Sequence, residues 1–133
     1  MKKIDIVFDM ETSDPDDFFA LCFLTSHPYV TLRAVTVTPG TKEQIGIVRH
    51  VLELTDYSTV LVGSRDPKCS RKCVSEFHYK FLGRVQKPDG LGYEILHYML
   101  RQFPNTTVVT GAPLQNLRLL LENYPDTTIK LRP

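Results

Sequence analysis

Charge of one sign is what this sequence most lacks. It carries 16 Lys and Arg against 15 Asp and Glu, a formal net charge of +1. No global field therefore draws the chain to nucleic acid or to an anionic membrane surface. Long apolar runs are missing too. The stretch Ile4 to Phe8 after Met1-Lys2-Lys3 is too short for a signal-peptide core, and no later stretch approaches the length of a membrane span. The expectation is a cytoplasmic protein with neither nucleic acid nor membrane as partner. Cysteine is scarce, with three in the chain. Cys22 lies in an apolar helical run, where a buried thiol is the usual outcome. Cys69 and Cys73 with the nearby His78 offer only three of the four ligands that a structural zinc needs, so zinc is not expected. The sequon Asn105-Thr106-Thr107 has no secretory context and is assigned no glycan. Internal repeats and low-complexity tracts are absent, and 133 residues with 42% apolar content can bury one core, hence one domain.

What the chain does have is an alternation of strand and helix patterns. Ile4 to Phe8 reads as a buried strand that ends in polar residues. Asp14 is placed to cap a helix whose first residue is Pro15, with Asp16 and Asp17 in the first turn and Phe18 to Leu24 as its apolar body. Val30 to Thr38 is β-branched and predicts a second strand, closed by Pro39-Gly40. Thr41 and Gln44 form a capping box for a helix with Ile45, Val48, Val51 and Leu52 on one face, and Thr59 to Val62 predicts a third strand. Leu91, Ile95, Met99 and Phe103 mark another helix. Thr106 to Thr110 follows as a strand, then Pro113 to Tyr124 as a helix with Leu114, Leu117 and Leu121 inward. Thr127 to Leu131 reads as the opening of a further strand. Such β-α-β-α alternation predicts an α/β fold, a Rossmann-like, doubly wound and mostly parallel sheet with helices on both faces.

Gly63 to Asp89 breaks the pattern. It mixes Pro67, Gly83 and Pro88 with Arg65, Lys68, Arg71, Lys72, Lys80, Arg84 and Lys87, and Phe77, Tyr79 and Phe81 suggest one short element. Basic residues with interleaved aromatics can mark nucleic-acid binding, but in a nearly neutral chain a solvated loop flanking an active site is the better account.

Chemistry concentrates after the first strand. Asp9, Glu11, Asp14, Asp16 and Asp17 crowd one short turn at the strand end where open α/β sheets bind ligands. Their mutual repulsion is relieved by a dication that takes oxygen ligands, calcium or magnesium. Helix capping and dipole compensation account for Asp14, Asp16 and Asp17 but leave Asp9 and Glu11 unexplained.

The segment Asp9-Met-Glu-Thr-Ser-Asp-Pro-Asp-Asp17 before an apolar helix resembles the D-x-D-P-G-x-D-D signature of the inosine-uridine nucleoside hydrolase family. Val35 to Gly40 resembles that family's second strand and Gly-ended turn, Asp89-Gly90-Leu91-Gly92 its D-G-L-G segment, and Val109 to Asn116 its T-G-P-L-T-N turn. The resemblance implies calcium-dependent hydrolysis of the N-glycosidic bond of ribonucleosides, with a small-molecule ribonucleoside as partner and homo-oligomers as a further expectation. It implies that residues 1–133 are the N-terminal part of that fold, truncated before its second half. Glu11 and Asp17 would ligate Ca2+ by carboxylate and Thr110 by its carbonyl, with Asp9 a further candidate ligand. Asp16 would hold the ribose hydroxyls, Thr41 stands where the family has a substrate-binding Asn, and Glu11 would be the general base. The chain has Glu11 where the family has Asp, one extra residue before Asp16, Gln86 near the family's histidine and an added Ala112. Which of Asp9, Glu11 and Asp14 takes each metal or base role therefore stays open.

Two other readings compete. Asp9-Met10-Glu11 after a strand resembles the D-x-D loop of haloacid dehalogenase-type magnesium phosphatases, although nothing after Thr110 matches their later motifs and Asp16-Asp17 would go unused. A non-catalytic, truncated hydrolase module is the second, favoured if apolar surface stands exposed.

Overall fold

The computed structural model describes residues 1–127, so the expected strand at Thr127 to Leu131 lies, its first residue apart, outside the described residues. Strand β1 (Ile4–Met10) runs into the acidic turn and helix α1 (Asp16–Ser26); β2 (Val30–Val37), α2 (Lys42–Leu54) and β3 (Leu61–Ser64) follow. A short 3-10 turn (His78–Lys80) interrupts the basic segment, then β4 (Gly90–Leu91), α3 (Gly92–Gln102), β5 (Thr107–Thr110) and α4 (Gln115–Asn123) complete the order. All described strand pairs are parallel, in the order β4-β3-β2-β1-β5.

Alternation along β1 sorts the core onto two faces. Ile6, Phe8 and Met10 pack with Phe18, Leu21 and Leu24 of α1 and with Ile45, Val48 and Leu52 of α2. Val7 faces the other way and packs with Ile95, Leu96 and Met99 of α3 and Leu120 of α4. This is the doubly wound α/β arrangement expected from the sequence. Burying one such side chain fully contributes about 2 kcal/mol, so the two layers hold the sheet from both sides. In β2 a bulge leaves Arg33 unpaired between Leu32, opposite Ile6, and Ala34, opposite Val7. The extra residue keeps Leu32 and Val35 in the same core, whereas strict alternation would turn one of them out.

Several expectations need correction. Asp14 does not cap α1: it is exposed, Pro15 already has helical φ and ψ, and no side chain caps that helix. The turn is held instead by the Asp17 carboxylate, which accepts the Glu11 N–H at 3.0 Å. The third strand starts at Leu61, because Val60 N–H is spent on a turn to Tyr57 O at 3.0 Å. Leu91 belongs to β4, a strand of two residues too short to leave a periodic signal. In α4 Leu117 packs on the core as expected and Asn116 and Leu120 are fully buried, whereas Leu114 and Leu121 are exposed. The helix turns that way because Asn116 reaches the end of β1. The capping box of Thr41 and Gln44 is present as expected.

Candidate functional site

The sheet order reverses beside β1: β2, β3 and β4 lie on one side and β5 on the other. At the carboxyl ends of β1 and β5 this makes a topological switch point, the place where open α/β sheets leave a crevice for ligands. A cleft of ≈ 320 Å³ opens there, with Glu11 and Ser13 from the turn after β1, Thr38 and Pro39 after β2, Arg65 after β3, and Pro113 and Gln115 after β5. A second cleft of ≈ 310 Å³, over β4 between Lys42 and Lys87, has no carboxylate in its lining.

Asp9 anchors the crevice from beneath. It is fully buried and stands opposite Thr36 of β2 and Thr110 of β5. One carboxylate oxygen accepts from Thr36 Oγ1 at 2.6 Å and Asn116 Nδ2 at 3.0 Å, and the other from Thr110 Oγ1 at 2.8 Å. Burial raises its pKa, and the three side-chain bonds act in the opposite direction. Asn116 also donates to Thr38 Oγ1 at 3.3 Å, so α4, β1, β2 and β5 meet on one polar cluster.

Asp17 is buried at the start of α1. Its carboxylate lies so close to Gly111 that a Cβ there would stand 1.9 Å from Oδ1. Only glycine lets the β5–α4 turn approach the acidic turn in this way, and it places Thr110 and Asp17 on one edge. Burial raises the Asp17 pKa; the bond from Glu11 N–H opposes this, and Asp16, Glu11 and Asp9 add to it by charge. Glu11 is half-buried and accepts from Ser13 N–H at 2.6 Å and from the Ser13 hydroxyl. Asp16 and Asp14 are exposed on the rim. Thr41 is buried and its hydroxyl accepts from Gln44 N–H at 3.3 Å, so that group is committed to the cap of α2.

Glu11, Asp9, Asp17 and Thr110 thus share the edge, but not as equals. Among the described residues no three His, Cys, Asp or Glu side chains are gathered as a metal site. The donors available to a cation are all oxygens, which suits a hard ion such as calcium, and Glu11 and Asp17 are the carboxylates with capacity to spare. Asp9 fits that role poorly, because all its bonds go to protein donors. Cys69, Cys73 and His78 form no zinc site in this set either. His78 is fully buried, with Nδ1 at 2.6 Å from Ser75 Oγ and Nε2 without a partner among the described residues.

Sequence reasoning passed over Thr36, Asn116 and Arg65. Asn116 left one readable signal: it precedes Leu120 by four, on the stripe that faces the sheet.

No family model and no curated protein sequence matches the chain. Its fold is that of nucleoside hydrolases of known structure. A plant nucleoside hydrolase, PpNRh1, aligns with a TM-score of 0.73 at 21% identity, over 92% of this chain and 43% of that one. The inosine-uridine preferring nucleoside hydrolase of Bacillus anthracis aligns at 0.68 with 18% identity, over 94% and 46%. The purine-preferring ribonucleoside hydrolase of Gardnerella vaginalis gives 0.61 with 17% identity, over 92% and 44%. The chain therefore spans less than half the length of each. At these identities the likeness establishes the fold.

Proposed function

We propose that the switch-point cleft is the ribose side of an N-ribohydrolase site, hydrolysing ribonucleosides to ribose and free base. The observation that carries this reading is the meeting of the acidic turn with the β5–α4 turn, Asp17 against Gly111, at the ligand edge of this fold.

In this reading Glu11, Asp17 and the Thr110 carbonyl hold calcium, and Asp9 holds the strands that present them. Calcium bound there would supply Lewis-acid polarisation and offset the repulsion among the carboxylates. Asp16, at the exposed start of α1, takes the ribose hydroxyls as an acceptor. Glu11 is the general base: it accepts a proton from a water whose oxygen bonds to the anomeric carbon, while the N-glycosidic bond breaks and its electron pair leaves with the base. Ser13 keeps Glu11 oriented through the two bonds it donates. Positive charge developing on the sugar is stabilised by the surrounding carboxylates.

Calorimetric titration tests the site before any turnover is measured. Calcium should give a binding signal that Asp17→Asn abolishes, and an unchanged signal in that variant would discard the ligand assignment. Release of ribose from inosine or uridine should then depend on Glu11, falling on the order of 100-fold or more in Glu11→Gln. Release of phosphate from a phosphomonoester with magnesium, inhibited by calcium, would replace this reading by the phosphatase one.

A further inference from the structure

We infer that the cleft takes a ribose carrying a phosphate, as in a nucleoside 5′-monophosphate, in preference to the neutral sugar. The inference rests on the proposed placement of ribose at the acidic end and deepens it.

The cleft is polar in the electrical sense. Glu11 stands on its wall together with three cations, Arg65, Arg71 and Lys72. A neutral nucleoside gives those cations nothing to bind. Arg65 follows the last residue of β3, and two backbone bonds fix it: its own N–H to Val37 O at 3.1 Å, and Asp66 N–H to Pro39 O at 2.8 Å. Its Nε is buried and has no acceptor among the described residues, and the carboxylate of Asp66 comes no nearer than 4.0 Å to its terminal nitrogen. The terminal nitrogens, on a side chain 28% exposed, keep N–H donors free toward the cleft, and a phosphate oxygen is the acceptor they match.

The basic loop is also pinned to the acidic turn. Thr12 donates its hydroxyl to Cys73 O at 2.6 Å and accepts Ser75 N–H on its carbonyl at 3.2 Å, while Gln44 Nε2 donates to Thr12 Oγ1 at 2.9 Å. Arg71 and Lys72 are thereby held beside the acidic turn, in the lining of the same cleft as Glu11. Lys72 has a partner, Glu76 at 3.2 Å, but both are well exposed, so that pair is screened and easily exchanged. With the sugar diol at the carboxylates, a phosphate on the same ribose is met by the cations that line the same cleft.

Calorimetry on the calcium-loaded protein with ribose and ribose 5-phosphate separates the possibilities. Ribose 5-phosphate should bind tighter than ribose by on the order of tenfold or more, a ratio that shrinks at high salt. Arg65→Gln should reduce the ratio by on the order of tenfold; Arg71→Gln, at an exposed position that cannot unfold the chain, should reduce it less. A ratio near one, or a ratio unchanged in both variants, overturns the inference. Ribose 5-phosphate binding that depends on Arg65 but ignores Asp16→Asn would instead sink the placement of ribose and leave the anion site standing.

Discussion

Two regions of the same turn differ in what surrounds them. Beneath the crevice, Asp9, Thr36, Thr110 and Asn116 form a cluster in which every bond of the Asp9 carboxylate goes to a side chain of another element. On the rim, two residues further along, the Glu11 carboxylate bonds only to Ser13 beside it, and Asp14 and Asp16 are exposed. Carboxylates of one short segment therefore do opposite work. Buried Asp9 joins strands and buried Asp17 ties the turn to the start of α1, whereas those on the rim cost the fold little and keep acceptors exposed.

Removing Asp9 should break that contrast most strongly. Asp9→Ala strands the donors of Thr36, Thr110 and Asn116, and urea unfolding should show a loss of about 3 kcal/mol or more. Glu11→Gln should change stability by less than about 0.5 kcal/mol in the same measurement. Equal losses would mean that the rim is structural as well.

Gly111→Ala tests the seam between the two regions. Its Cβ would meet Asp17 Oδ1 at 1.9 Å, so either the turn or the carboxylate must move. We expect a loss of about 1–3 kcal/mol in stability together with a weakened calcium signal by calorimetry. Full retention of both would show that the close approach is dispensable.

The smallest effect is a pH dependence from His78, which lies against Phe18 and Phe77 with ring centroids 5.8 and 5.5 Å away. Burial lowers its pKa, and the charges of Glu11 and Asp16 oppose this only in part. The folded protein thus prefers the neutral ring, and the unfolded chain takes up the proton first. This contribution is complete above the ordinary value of 6.5 and is lost as the pH falls below it. Unfolding midpoints should decline on acidification from pH about 7.5 to about 5.5, and His78→Gln should flatten that decline. An identical slope in the variant would assign the dependence elsewhere.

The apolar surface bears on the module reading. Phe19 and Phe23 of α1, Val109 of β5, and Leu114 and Leu121 at α4 are exposed, while β2 and β3 are covered on both faces. An inward stripe of Leu114, Leu117 and Leu121 was expected for α4; Leu117 packs on the core, and Leu114 and Leu121 stand outward. Periodicity shows that a helix has an apolar side, but not which of two overlapping stripes meets the sheet. The bond from Asn116 to Asp9 decides that, across 107 residues of sequence.

Local chemistry alone was enough for much of this protein. An apolar run marked β1 and a β-branched one β2, the Thr41–Gln44 pair closed α2 as a capping box, and the crowding of carboxylates after β1 pointed to the carboxyl edge of the sheet, since each signal lies within one turn or strand of its cause. Only the tertiary structure could divide that acidic cluster into a buried clamp and an open rim. Burial depends on what other elements bring, and Thr36, Thr110, Asn116 and Gly111 come to Asp9 and Asp17 from distant parts of the chain. The same holds for Arg65, Arg71 and Lys72, which read along the sequence as a solvated basic loop. They line one cleft because β3 ends beside the turn after β2, and because Thr12 ties the loop to the acidic turn.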